Sequence, residues 1–309
     1  MKVIGSALRG WRVRTSVAVM AAALAVGMGQ AVGVGQAGAM PVHPPGTQPV
    51  SGTLEPALDC VPAPEQPNPV VILGGFGAVG DIRATLDKQM AGITGGIRDI
   101  GGCPLIFGYG IIGPMQAAAP VSESAGQLRD FVTKVLAATG APKVDIVAHS
   151  SGALIANYYL KFLHGGPSVD RAVYLAPVTA GTNAATLIGG RDLPGSPDGL
   201  AGILTDATNP LRDTVFRGVQ GALDCLAGSQ VTTALLAGGL TVPGVHYSVL
   251  ATRGDQVLTP PGTASFIDDP TVENDFFEDL YPDAGLSTHA TLPMHPDAAG
   301  WVIERLLTE

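Results

Sequence analysis

Charge is scarce in this chain. Lysine, arginine, aspartate and glutamate make up only 14% of its 309 residues, and the acidic side chains outnumber the basic ones by 26 to 17. The net charge of −9 has the wrong sign for binding a phosphate backbone, which excludes nucleic acid as a partner. The same sign disfavours an anionic membrane surface but not neutral lipid. Cysteine is rarer still: Cys60, Cys103 and Cys225 are the only three, and none has a cysteine–histidine spacing that suits zinc. There is no internal repeat. Beyond the N-terminal stretch, no uninterrupted apolar run approaches the roughly 20 residues of a spanning helix, so no stable membrane insertion is expected once that stretch is removed.

Apolar side chains are plentiful, at 46%, enough to fill a substantial core. The 42 glycines and 25 prolines are spread between apolar runs and read as the turns of a loop-rich globular domain. At the N-terminus, Lys2, Arg9, Arg12 and Arg14 precede an alanine-rich apolar run from Val17 to about Met28. Ala37-Gly38-Ala39 then offers the small residues a signal peptidase reads. A signal peptide over residues 1–39 is the expectation, with a secreted, extracellular product. No twin arginine is present, which favours the general export route. Cleavage removes four positive charges and no negative ones, taking the net charge from −9 to −13. In an exported chain two of the three cysteines oxidise and one is left over, and the sequence alone permits all three pairings.

Residues 40–69 are proline-rich and read as an extended lead-in. Strands are expected at Pro69 to Leu73, Leu105 to Tyr109, Val144 to Ala148, Arg171 to Ala176 and Tyr247 to Thr252. Helices are expected from about Thr85 to Ile97, from a cap at Ser122 or Ser124 to a stop at Gly140 and Pro142, from Ser151 through Phe162, and from Pro296 to Leu307. Strands alternating with helices argue for an α/β fold, with a mostly parallel sheet covered on both faces. This domain spans 70–309. Within it, residues 179–240 break into short apolar pieces with many glycines and suit a small lid or acyl-pocket segment. Leu187, Ile188, Leu200, Ile203, Leu204 and Leu211 either line such a pocket or pack on the core.

The chemistry turns on Ala148-His149-Ser150-Ser151-Gly152. A buried strand, a serine and a helix in immediate succession form the context of a nucleophile elbow. The turn is sharp, so small residues are needed two before and two after the serine, and alanine and glycine meet that need. An ordinary capping serine is the bland alternative, which the strand before and the helix after argue against. Ser150 then stands at a helix N-terminus, where N–H groups favour a developing anion. Phe76, in the glycine-rich turn after the first central strand, and Ser151 are the expected backbone N–H donors to an oxyanion. Asp255 follows a strand directly and is the expected acid. Asp268, Asp269, Asp275, Asp279 and Asp283 suit a solvated acidic loop, where no ordered ligand spacing supports calcium. Of six histidines, His43 lies in the lead-in, His149 should point away from the site, His164 ends a helix and His246 opens a strand. His289 and His295 lie late enough to serve as base. A loop position reaches both serine and aspartate more readily than a helix entry does, which favours His289 over His295. No feature calls for a cofactor or a metal.

Together these residues resemble the secreted bacterial lipases of the class 2 type and, more distantly, the fungal lipase B group. The resemblance runs from about Pro69 to Leu307. It is carried by Val-Asp-Ile-Val-Ala-His-Ser-Ser-Gly at 144–152, Val-Asp-Arg-Ala-Val-Tyr-Leu-Ala-Pro at 169–177, Pro-Gly-Val-His-Tyr-Ser-Val-Leu-Ala-Thr-Arg-Gly-Asp at 243–255 and Thr-His-Ala-Thr-Leu at 288–292. It implies an α/β-hydrolase fold with a triad of Ser150, Asp255 and His289. It also implies a Cys60–Cys103 disulfide and an unpaired Cys225, because Tyr281 stands where relatives carry the partner cysteine. One departure is Gly74, where many lipases carry histidine. The activity implied is hydrolysis of acylglycerols or medium-chain esters through an acyl-enzyme, with a lipid–water interface as a partner surface. The rival readings are a hydrolase-fold binding protein without catalysis, and a polyester depolymerase or acyltransferase with the same triad.

Overall fold

The structure is a computed structural model that describes residues 51–78, 80–183 and 220–308. The expected signal peptide, the first part of the lead-in, and the lid residues 184–219 with their six leucine and isoleucine candidates lie outside the described residues.

Among the described residues, seven strands form one sheet in the order β1-β3-β2-β4-β5-β6-β7. They are β1 (Gly52–Leu54), β2 (Val70–Leu73), β3 (Pro104–Ile111), β4 (Val144–His149), β5 (Val169–Leu175), β6 (His246–Ala251) and β7 (Glu273–Phe276). All neighbours are parallel except β1, which runs antiparallel to β3. The inner strands are apolar throughout because both faces are covered. Val71 and Leu73 of β2, with Ile146 and Ala148 of β4, join one core. Val70 and Ile72, with Val147, join the other. The period of two along each strand thus serves two cores instead of separating core from solvent.

The first core is closed by α3 (Val121–Thr139) and α4 (Ser151–Phe162), and the second by α1 (Ile82–Gln89), α2 (Ala91–Asp99) and α8 (Pro296–Leu307). Three short helices, α5 (Gln220–Asp224), α6 (Gln230–Leu236) and α7 (Phe277–Leu280), lie in connections. The single helix expected over Thr85 to Ile97 is in fact two, broken at buried Met90 (φ −101°, ψ 9°). The glycine-rich start of α2 weakens helical continuity there. Gly96 lets α2 approach α8, since a Cβ at that position would lie 2.8 Å from Ile303 Cγ1. Helix α3 takes no cap from Ser122 or Ser124. It starts after Pro120, and the Asp224 carboxylate accepts from the Val121 N–H at 2.9 Å. That partner is 103 residues away, which is why local sequence does not reveal it.

Edge strands β1 and β7 were not expected, being short or polar. β7 falls inside the region read as an acidic loop, where Asp275 accepts from Trp301 Nε1 at 3.2 Å and from Arg305. Cys60 and Cys103 form a disulfide (Cα–Cα 5.8 Å) that ties the lead-in to the start of β3. Cys225 is a buried free thiol, whose pKa burial pushes up. No helix among the described residues is long and apolar enough to cross a membrane. Because β2 lies between β3 and β4, the chain reverses its progress across the sheet there. The carboxyl ends of β2 and β4 consequently face a crevice, the place where open α/β sheets bind ligands.

Candidate active site

Strand β4 ends at His149, and Ser150 follows with φ 57° and ψ −126°, before α4 begins at Ser151. A positive φ at a non-glycine residue costs on the order of 1–3 kcal/mol and persists only where the surroundings enforce it. Here they do. The Ser150 N–H donates to Leu175 O at 3.1 Å, and Ser150 O accepts from Ala153 N at 3.2 Å and Val178 N at 3.1 Å. Two residues on, a Cβ at Gly152 would come within 2.8 Å of Leu73 O, so glycine is required at that position.

The hydroxyl of Ser150 lies 2.9 Å from His289 Nε2, and His289 Nδ1 lies 2.8 Å from Asp255 Oδ2. All three residues are buried. An ionised aspartate only accepts, so Nδ1 carries the proton and Nε2 is left to accept from the serine hydroxyl. The other aspartate oxygen, Oδ1, accepts from Val257 N at 2.8 Å and Leu258 N at 2.7 Å. Burial pushes the Asp255 carboxyl up, but the hydrogen bond and charge of His289 and these two N–H groups outweigh it. The net shift is below the usual carboxylate range.

The loop carrying Asp255 is held by side chains that the sequence did not single out. Thr252 Oγ1 lies 2.5 Å from Glu278 Oε1 and 3.0 Å from Ser287 O, and Glu278 Oε2 accepts from Arg253 N at 3.0 Å. At Gly254 a Cβ would fall 1.9 Å from Ser287 O, so glycine allows the aspartate and histidine loops to meet.

Gly75 passes directly over the serine: a Cβ there would lie 2.7 Å from Ser150 Cβ. The turn is fixed from behind, where Tyr109 Oη donates to Gly74 O at 2.7 Å and Gln116 Nε2 to Gly75 O at 3.3 Å. Burial keeps the Tyr109 phenol protonated, its pKa pushed well up. At position 74 a Cβ would meet Leu86 Cδ2 at 2.3 Å. A side chain there would have to displace Leu86, and Tyr109 and Gln116 support the turn. No described residue accepts a hydrogen bond from the Phe76 N–H. The Ser151 N–H belongs to the first turn of α4, where such groups have no partner within the helix.

A cleft of about 600 Å³ opens beside these groups, lined among others by Phe76, Ala84, Lys88, Val257, His289 and Met294. His149 does not point away from the site. Its Nε2 lies 2.9 Å from His289 O and its ring centroid 4.8 Å from that of His289. His295 is the helix-entry residue expected, accepting from Asp297 N at 3.2 Å with its ring against Phe277. Asp269 accepts from Thr241 and Thr271, away from the triad. Among the described residues no group of three or more histidine, cysteine, aspartate or glutamate side chains is arranged to hold a metal ion.

Comparison with solved structures fixes the class: the fold is that of the α/β-hydrolases. Aspergillus fumigatus lipase B aligns with a TM-score of 0.58 at 14% identity, over 81% of this chain and 56% of that one. Bacillus licheniformis lipase BlEst2 in its mature form aligns with a TM-score of 0.53 at 14% identity, over 84% of this chain and 98% of that one. The chain thus spans little more than half of the fungal protein and nearly all of the mature bacterial one. More particularly, residues 111–202 match the model of the family described as Lipase (class 2). The chain is similar to class 2 lipases over that stretch.

Proposed function

We propose that this chain is a secreted carboxylic-ester hydrolase that works through an acyl-enzyme on Ser150, with His289 as base and Asp255 as its orienting acid. The observation that carries this reading is the unbroken hydrogen-bonded series from Ser150 Oγ through the His289 ring to Asp255. In the first half-reaction Oγ attacks the ester carbonyl carbon while its proton passes to His289 Nε2. Asp255 stabilises the resulting imidazolium and itself stays ionised. The carbonyl oxygen becomes an oxyanion, received by the Phe76 and Ser151 N–H groups. Collapse of the tetrahedral species expels the alcohol, which takes the proton from Nε2. Water then attacks the acyl-serine by the same route and releases the acid.

Acylglycerols or medium-chain esters, presented at a lipid–water interface, are the substrates that the largely apolar cleft and the class 2 lipase match favour. Residues 1–39 would act as the export signal, 40–69 as the lead-in and 70–309 as the catalytic domain, with 179–240 as its lid or acyl-pocket segment. The Cys60–Cys103 bond is compatible with an extracellular destination.

The test is mass spectrometry after treatment with a fluorophosphonate, together with hydrolysis of a soluble p-nitrophenyl ester. A single adduct on Ser150 is expected, lost in Ser150→Ala and His289→Ala and kept in His295→Ala. Ester turnover should fall by about 10⁶-fold in Ser150→Ala, the scale for removing a triad nucleophile. A folded protein that takes up no adduct would point instead to a binding protein on this fold.

A further inference from the structure

His149 is the last residue of β4, buried and immediately before the serine. Its Nε2 lies 2.9 Å from the backbone carbonyl of His289. A carbonyl only accepts, so Nε2 must carry the proton. Nδ1 is then a lone pair, and Gln89 Nε2, a donor at the end of α1, faces it at 3.5 Å. Both ring nitrogens are thereby assigned, and the ring is neutral. Burial and the neighbouring His289 lower its pKa to about 3. It therefore stays uncharged while the adjacent ring gains a proton.

The geometry points to His149 as a positioning residue for the base: its Nε2–H fixes the His289 backbone to the strand that carries Ser150. This rests on the reading of His289 as base. The two histidines are 140 positions apart in the chain. The loop bearing His289 is otherwise organised by its own turn, with Leu292 N donating to Thr288 O at 3.0 Å, and by Thr252 just after β6, which reaches Ser287 O. The His149 hydrogen bond spans directly from β4 to the base. Because His149 and Ser150 are consecutive, any displacement of the elbow carries the His289 backbone with it. The Oγ to Nε2 distance is preserved as a result. The tilted contact of the two rings, 42° between planes, limits rotation of the base about its side-chain torsions.

Two substitutions separate this role from packing. His149→Phe keeps a ring of similar size and removes the donor, whereas His149→Gln restores an N–H donor of similar reach. With a soluble p-nitrophenyl ester, His149→Phe should lower kcat by about 10- to 10²-fold, the scale on which small misplacements of reacting groups act. KM should stay within about twofold and the rate of fluorophosphonate inactivation should fall in parallel. His149→Gln should recover most of both rates. Unchanged kcat and inactivation rate in His149→Phe would overturn the inference, as would a His149→Gln variant as slow as His149→Phe. If His149→Phe does not fold, ¹⁵N-edited NMR of the unmodified protein decides. A neutral His149 ring with its proton on Nε2 at pH 5 is expected, and a proton on Nδ1 overturns it. Ser150→Ala and His289→Ala are assayed alongside. Turnover surviving in those variants sinks the hydrolase reading itself, whereas their inactivity beside a normal His149→Phe removes only the positioning role.

Discussion

A single methyl group decides whether the turn after β2 can lie over Ser150, because a Cβ at Gly75 would stand 2.7 Å from Ser150 Cβ and 3.2 Å from its Oγ. Neither neighbour can yield, since the serine is held in its positive-φ turn and the loop is tied to Tyr109 and Gln116. Gly75→Ala should therefore displace the Phe76 N–H from the position where an oxyanion forms, lowering kcat by about 10²-fold. The melting temperature should fall as well, because Phe76 of the turn packs on the first core and Ala78 just after it lies in the second. Steady-state kinetics with matched thermal melts check this, and wild-type kcat would show that the turn can shift without cost. At this scale the sequence places Ser150 and Asp255 after strands legible from their own residues, and His289 in the loop before the last helix. It was silent on Tyr109, Gln116 and Glu278, whose partners lie between 25 and 41 positions away, and misleading on His149. Strand alternation gives the face of a side chain, but not which distant loop will fold over the strand's end.

Helix α3 shows the corresponding limit for elements. Its apolar stripe (Leu128, Phe131, Val132, Val135) and its stop at Gly140, with φ 71°, are legible from local residues. Its start is not, because the cap is Asp224, which also accepts from Gln220 Nε2 at 2.7 Å. Asp224→Ala would leave the buried Val121 N–H without this acceptor, at a cost of about 1 kcal/mol. In a domain of this size that lowers Tm by roughly 2–4 °C. Calorimetry measures it, and an unchanged Tm would mean that another group takes over the cap. Strands follow the same division. The five inner strands are recovered within one or two residues, because burial on both faces makes them continuous apolar runs. Edge strand β7 (Glu-Asn-Asp-Phe) has half-buried and exposed residues and carries no such pattern.

For the whole molecule, the two ends of the sheet respond to pH in opposite senses. At the carboxyl end, Asp255 titrates below its ordinary range, so it stabilises the fold above that range and the contribution is lost as pH falls through its folded value. At the amino end, Asp145 opens into a pocket of donors: Gln66 Nε2 at 3.2 Å, Asn68 Nδ2 at 3.2 Å and Arg171 N at 3.1 Å. Burial, opposed by Arg171 and these bonds, raises its carboxyl from 3.8 to about 6. The folded state then holds this proton more tightly than the unfolded chain. Its favourable contribution is complete below about pH 4 and disappears as pH rises through about 6, a swing of roughly 3 kcal/mol. Asp145→Asn should remove that swing. Urea unfolding at pH 4 and pH 7 should show the variant gaining on the unmodified protein at the higher pH, and a constant difference would rule this out.

The bond between Cys60 and Cys103 closes a covalent ring that contains β2, the turn over Ser150, and both α1 and α2. Val61, which adjoins Cys60 in that ring, is 87% exposed and so open to a protease. A cut at Val61, or at any other single point from 61 to 102, opens the ring but frees no fragment, and the chain stays in one piece until a thiol reductant is added. In an environment rich in proteases, the strand that carries the turn over Ser150 can be nicked and still not be lost.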